Sequence, residues 1–267
     1  MKAYSTSPIP THPVTMKRGF YRKDADAYRR FGATVPLHQP AQRVVSLVPS
    51  VTEAIALTAP TALIGATDWC TQPPDLTVTR VRGTKNPDIT AIAGLRPDPV
   101  VVNNEENRRV DVEELRRLTI PVWVKALDSM TRLFTQAFRV AVPAWLEEAR
   151  NVWPHPASGP RIRVALPIWT KPWRWVGANT FATDLMQHFG WDNVVTDERY
   201  PLLTPADIAE RAPDVVALSD EPYALTATDH QHFPVPAIHV AGRNLFWYGP
   251  AMATAREELA EAMAGQA

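Results

Sequence analysis

Two eleven-residue segments of this chain align with one another, and the match limits the possible folds more than any other feature. IAGLRPDPVVV begins at Ile92 and IAERAPDVVAL begins at Ile208, a constant offset (208 − 92 = 116). In both, a short helical pattern ends at Pro-Asp and feeds a β-branched apolar run that reads as a buried strand. The same element order surrounds each copy. The chain therefore reads as two homologous α/β lobes, and its 267 residues are enough to give each lobe its own core.

The stretch from Arg43 to Pro74, RVVSLVPSVTEAIALTAPTALIGATDWCTQPP, shows how such a lobe would be built. Val44 to Val48 reads as a strand that Pro49 stops. Ser50 with Glu53 fits a capping box, in which the serine oxygen covers an early amide and the glutamate reaches back. A helix over Val51 to Thr58 follows, then a strand over Ala62 to Ala66. Trp69 lies on the loop beyond that strand's carboxyl end, where open α/β sheets hold ligands.

Further along, Val78 to Gly83 reads as a weak strand, Asp88 as the cap of a helix over Ile89 to Leu95, and Pro99 to Val102 as a strand. Val110 to Leu118 is an amphipathic helix and Pro121 to Ala126 a strand. Ser129 to Trp153 is helical but must divide at Pro143, which lacks an amide. PHPASGP, from Pro154, has linker composition. The second half repeats the scheme: strands over Arg161 to Leu166, Arg174 to Val176, Val194 to Val195, Asp214 to Leu218 and Ala237 to Val240. Its helices run from Asn179 or Thr180 to Phe189, from Pro205 to Arg211 and from Pro250 to Met263. Alternating strands and helices predict parallel sheets. The expected division is a polar arm (1–41), an amino-terminal lobe (42–128), a helical connection and linker (129–160) and a carboxyl-terminal lobe (161–267).

Composition excludes several function classes. Lys+Arg and Asp+Glu both number 28, which leaves no basic footprint for nucleic acid or an anionic membrane. One cysteine excludes an internal disulfide, and scattered histidines give no ligand spacing for zinc. Glycines number only 11, and no phosphate-cradling GxGxxG or GxxxxGK[ST] occurs. No apolar run approaches the roughly 18 residues of a membrane span. The polar first 32 residues lack an apolar signal core, so the expectation is a cytoplasmic protein; a monomer is also expected. No nucleophile-elbow glycines flank Ser50, no HExxH occurs, and the adjacent Asp220 and Glu221 need not share a proton, so no reaction is legible.

The phrases RVVSLVPSVTEAI, LIGATDWCTQPP, RVRGTKNPDITAIAGLRPDPVVV and IPVWV, with ANTFATDLMQHFGWDNVV and TPADIAERAPDVVAL in the second half, resemble the helical-backbone periplasmic-type binding proteins that carry cobalamin, haem and ferric siderophores. The likeness covers about residues 42–262 and is greatest to the cobalamin-binding branch. It implies two Rossmann-like lobes on a helical connection, a ligand cleft between them, and a bound cobalamin or other metal chelate. It also implies docking on a membrane permease through one glutamate per lobe. Those places fall here on Thr90 and Ala206, which carry no charge, so the sequence argues against a permease partner. Candidate ligand contacts are Pro49 and Ser50 at a helix start, where free amides receive anions; the cleft aromatics Trp69, Trp169, Trp173, Tyr223, Phe246, Trp247 and Tyr248; and the polar Glu105 and Arg243. Trp123 and Trp145 read as core. The leading expectation is a non-catalytic binder of a corrinoid-like or other metal-chelate small molecule. The alternatives are an enzyme of unknown reaction and a protein-interaction scaffold with a sealed cleft.

Overall fold

The computed structural model describes residues 37, 39–103, 105–118, 122–125, 128–153 and 159–264. Most of the polar arm, the linker over 154–158, and the ends of the strand expected over Pro121 to Ala126 lie outside the described residues. The first half contains β1 (Val44–Ser46), α1 (Pro49–Thr58), β2 (Leu63–Ala66), β3 (Thr79–Arg80), β4 (Arg82–Gly83), β5 (Asn86–Pro87), α2 (Ile89–Leu95), β6 (Val100–Asn103), α3 (Arg109–Arg117) and β7 (Val122–Lys125). A connection follows, α4 (Asp128–Arg132), a π-helical turn (Leu133–Ala137) and α5 (Ala144–Val152). The second half holds β8 (Ile162–Ala165), β9 (Pro167–Thr170), β10 (Trp173–Trp175), α6 (Phe181–Phe189), β11 (Trp191–Asn193), α7 (Pro205–Glu210), β12 (Val215–Ser219), β13 (Ala237–Val240), α8 (Arg243–Phe246) and α9 (Ala255–Ala264).

Two parallel sheets result. The first has strand order β3-β2-β1-β6-β7 and the second β11-β8-β12-β13, so β8 takes the part of β1 and β12 that of β6. The repeated phrase is repeated in three dimensions. The Arg43 amide donates to Asp98 Oδ1 (2.9 Å), and its guanidinium donates to the Leu95 carbonyl ending α2 (2.6 Å). In the second lobe the Arg163 amide donates to Asp214 Oδ2 (2.8 Å), and its guanidinium donates to the Arg211 and Ala212 carbonyls ending α7 (2.5 and 2.9 Å). Arg96 and Ala212, 116 positions apart (212 − 96), both adopt left-handed backbone, at φ 49° and 48°. In each lobe the aspartate and the arginine together fasten the end of a helix to the start of the central strand.

Strand pleating assigns the core. Val44 and Val101 enter one apolar cluster, while Val45, Val100 and Val102 face the opposite side, where Ile92, Val112 and Leu115 pack. The first cluster runs without interruption through Phe134, Leu146 and Trp153 of the connection to Val164, Leu166 and Leu259 of the second lobe. The connection also forms polar bonds to both halves: Trp145 Nε1 donates to Thr58 Oγ1 (3.2 Å), and Trp153 Nε1 donates to the Met252 carbonyl (2.8 Å). The lobes are therefore packed onto one shared core.

Several local expectations meet the structure closely. Asp88 Oδ1 accepts the Ala91 amide (2.9 Å), and Gly190 ends α6 in left-handed backbone at φ 105°. Others do not. The cap of α1 is Val48, with no side-chain bond, and Glu53 turns away to Arg243, so the Ser50–Glu53 capping box does not form. The connecting helix breaks earlier than Pro143, at Arg139, whose φ is 54°. Val194 and Val195 are buried but follow β11, because the Asn193 side chain takes over there: Oδ1 accepts the Val195 amide and Nδ2 donates to the Val176 carbonyl. Among the described residues no helix is long and apolar enough to cross a membrane.

Candidate functional site

In each sheet the chain leaves the central strand to one side first and then to the other, so the order reverses between β1 and β6 and between β8 and β12. Loops beyond the carboxyl ends of such strand pairs form crevices. Here the two crevices meet. Asn103, at the end of β6, donates from Nδ2 to the Tyr248 hydroxyl. Glu105, just beyond, accepts the Tyr200 hydroxyl at Oε2 (2.9 Å) and the Phe181 amide at Oε1 (3.4 Å). Glu53 on α1 accepts Arg243 Nη2 at 2.8 Å. The carboxyl edges of the sheets thus face one another, and these bonds form the floor between them.

The sequence candidates divide into a mouth and a floor. Trp69 is 65% exposed beyond β2, its indole close to Gly83, where an added Cβ would stand 3.2 Å from Nε1. Trp169 on β9 is 43% exposed, and its ring lies 4.8 Å from that of Tyr223. The pair joins the loop after β8 to the loop after β12, at the second lobe's order reversal. Trp173 takes a different place. The antiparallel β9–β10 ribbon, which the sequence did not disclose, sets Arg174 opposite Trp169. Trp173 therefore points to the other face, stacked on Trp175 at 5.8 Å and edge-on to Phe233. Leu202, bridged to Arg174 and 55% exposed, joins the Trp169 side and had no signal in the sequence.

On the floor, Trp247 is buried and donates from Nε1 to Glu221 Oε2 (2.7 Å), while Arg243 lies over the Trp247 ring at 5.5 Å. Tyr248 is buried, takes the Asn103 Nδ2 bond at its hydroxyl and lies edge-on to Phe181 at 5.4 Å. Phe246 packs against the shared core. Pro49 and Ser50 begin α1 as expected. The second lobe covers this start, however: a Cβ on Gly249 would stand 2.8 Å from the Ser50 carbonyl oxygen. An anion has no open approach to those amides from that side.

The floor is rich in carboxylates with displaced acidities. Burial pushes the Glu53 carboxyl up, and Arg243 pulls it back. Burial also raises Glu221, with Asp220 and Glu53 adding repulsion and the Trp247 bond opposing. Glu106 is raised by desolvation and by Glu105 and Glu221, against the attraction of Lys85. The Tyr200 and Tyr248 hydroxyls are held well above their ordinary range, first by burial and then by these neighbouring carboxylates. Burial lowers the Lys85 ammonium, while Glu106 and Glu105 counter it. Cys70, beside Trp69 in sequence, is turned inward between Thr52 Oγ1 (3.0 Å) and Thr67 Oγ1 (3.2 Å). Among the described residues no group of three or more His, Cys, Asp or Glu side chains is placed to hold a metal ion.

No family model and no curated protein matches the chain. Solved structures do. The periplasmic vitamin B12 binding protein BtuF of Vibrio cholerae superposes with a TM-score of 0.70 at 18% identity, covering 85% of this chain and 98% of that one. A periplasmic haem-binding protein from Pseudomonas aeruginosa gives 0.68 at 18%, covering 84% and 92%. The molybdate periplasmic binding protein MolA of Haemophilus influenzae gives 0.64 at 16%, covering 85% and 87%. At these identities the likeness concerns architecture: the chain has the two-lobed fold of the periplasmic binding proteins for vitamin B12 and haem.

Proposed function

We propose that this chain is a non-catalytic binding protein, taking a flat, partly apolar small molecule of the corrinoid or metal-chelate class at the mouth of its interlobe cleft. The observation that carries this reading is exposed Trp169, packed on half-buried Tyr223 at the second lobe's order reversal, with exposed Trp69 at a carboxyl edge of the first. Indole and phenol faces left open to water are suited to covering an apolar ring, and their polar atoms orient it. The solved neighbours that bind vitamin B12 and haem support the same reading by analogy of fold. A permease partner is not part of the proposal. Thr90 and Ala206 sit exposed at the second positions of α2 and α7, where a docking pair would need charge.

The bonded floor favours one competing reading, a cleft sealed by Glu53–Arg243, Asn103–Tyr248 and Glu105–Tyr200 in a protein-interaction scaffold. Titration of intrinsic tryptophan fluorescence with cyanocobalamin and with haemin separates them, with free tryptophan correcting for absorbed light. Saturable quenching by either supports the binding protein. Linear, non-saturating loss with both supports the sealed scaffold.

A further inference from the structure

Glu106 is the floor glutamate with neither carboxylate oxygen bonded among the described residues, whereas Glu53 leaves only Oε2 unbonded. Glu53 is bonded to Arg243, Glu105 to Tyr200, and Glu221 to Trp247. The Glu106 carboxylate has no hydrogen-bond or ion-pair partner among the described residues, and the side chain is partly buried in a setting that disfavours its charged form. Its backbone is held in place by the asparagines on either side. The Glu106 amide donates to Asn103 Oδ1 (2.6 Å), and that oxygen also accepts the Glu105 amide (2.8 Å). Asn107, next in line, accepts the Asn103 amide at Oδ1 (2.9 Å) and donates from Nδ2 to the Leu47 and Thr84 carbonyls (both 3.1 Å). Lys85, the cation that attracts it, donates from Nζ to the Glu105 carbonyl (2.5 Å) instead.

A carboxylate partly withdrawn from water without a replacement partner carries a penalty that a ligand can relieve. This one is fixed at the first lobe's order reversal, on the line where the two carboxyl edges meet. The charges that act on it are one ammonium, Lys85, and two further carboxylates, Glu105 and Glu221. A ligand presenting N–H groups or positive charge would satisfy it. A ligand presenting carboxylates or an oxyanion would add to the repulsion, in a recess where charge is poorly screened.

Resting on the binding-protein reading above, we propose that Glu106 sets the charge class of the ligand: the cleft selects a neutral or cationic, N–H-bearing chelate and discriminates against carboxylated chelates and oxyanions. Glu106 is then a specificity-determining residue, whose unpartnered carboxylate is completed by the ligand.

The test is calorimetric titration of the full chain with three probes: cyanocobalamin, uncharged overall with an amide-rich rim; haemin, with two carboxylates; and molybdate. The expected result is cyanocobalamin at least about tenfold tighter than either anion, with the ratio to haemin falling below about threefold in Glu106→Gln. The same variant, free of ligand, melts higher than wild type at neutral pH, because the unpartnered charge is gone. Haemin or molybdate binding wild type as tightly as cyanocobalamin overturns the charge rule and leaves the binding-protein reading standing. An unchanged ratio in Glu106→Gln also overturns it. Failure of all three probes to bind wild type removes the binding-protein reading, and the charge rule with it.

Discussion

Truncating Trp69 separates a binding role from a packing role. A fully covered tryptophan side chain removes about 150–250 Å² from water. With 65% of Trp69 open, roughly 100–160 Å² remains for a ligand to cover. A flat molecule on one face would cover about half of that, worth about 1–2 kcal/mol at about 25 cal/mol per Å². Trp69→Ala should therefore weaken a corrinoid by about tenfold or somewhat more. The folded state already covers the remaining third, an upper bound of about 1–2 kcal/mol that a compact unfolded chain reduces. No sealed cavity is left, because the indole lies on the surface against Gly83. The expected fall in Tm is a few degrees, about 2–4 °C per kcal/mol for a chain near this size. Paired titration and thermal melts of wild type and variant give both quantities. A large fall in Tm with unchanged affinity would refute the reasoning and make Trp69 a packing residue.

Three further outcomes follow from other contacts. Arg243→Ala should destabilise by about 1–3 kcal/mol at neutral pH, since the Glu53 side chain is only 8% exposed while that of Arg243 is 36% exposed. Without Arg243 the burial that raises Glu53 is unopposed by its guanidinium, so ionised Glu53 is penalised in the fold and the loss should shrink as pH falls through the raised carboxyl value; urea unfolding at pH 7.5 and 5 checks this, and a pH-independent loss contradicts it. Asp98→Ala and Asp214→Ala should each cost about 1–3 kcal/mol, through the lost bonds to the Arg43 and Arg163 amides, and should add in the double variant because they lie in different lobes; a coupling above about 0.5 kcal/mol would show the clamps are not independent. Thr90→Glu with Ala206→Glu should raise affinity for a cobalamin-type permease in a pull-down, whereas tight binding by the unchanged chain would contradict the proposed loss of docking.

The two-lobe architecture was legible because the Pro-Asp phrase occurs twice and each copy sits between a helix and a strand. Capping chemistry was legible where side chains serve only their own helix, as at Asp88 and Thr180. It failed at Ser50–Glu53, where the glutamate had a better partner 190 positions away, and no local pattern records Arg243. The β9–β10 ribbon was not read from the sequence, in which Pro167 opens β9 and Pro172 lies in the turn before β10. Missing it left Trp169 and Trp173 looking equivalent, whereas the pleat turns them to opposite faces. Trp247 and Tyr248 were rightly placed after the last strand, but as open cleft contacts; the structure buries both and spends their polar atoms on Glu221 and Asn103. Glu106 stood unremarked in a polar run, because what distinguishes it is the absence of a partner that its neighbours have. That property exists only after the lobes meet.

Native mass spectrometry of the protein purified from its own host tests the central claim most directly. The account predicts a mass excess of one organic chelate per chain in gentle conditions, recovered by adding a corrinoid to stripped protein and diminished in Trp69→Ala. A chain that carries only its own mass, and still does so after incubation with cyanocobalamin and with haemin, would contradict it.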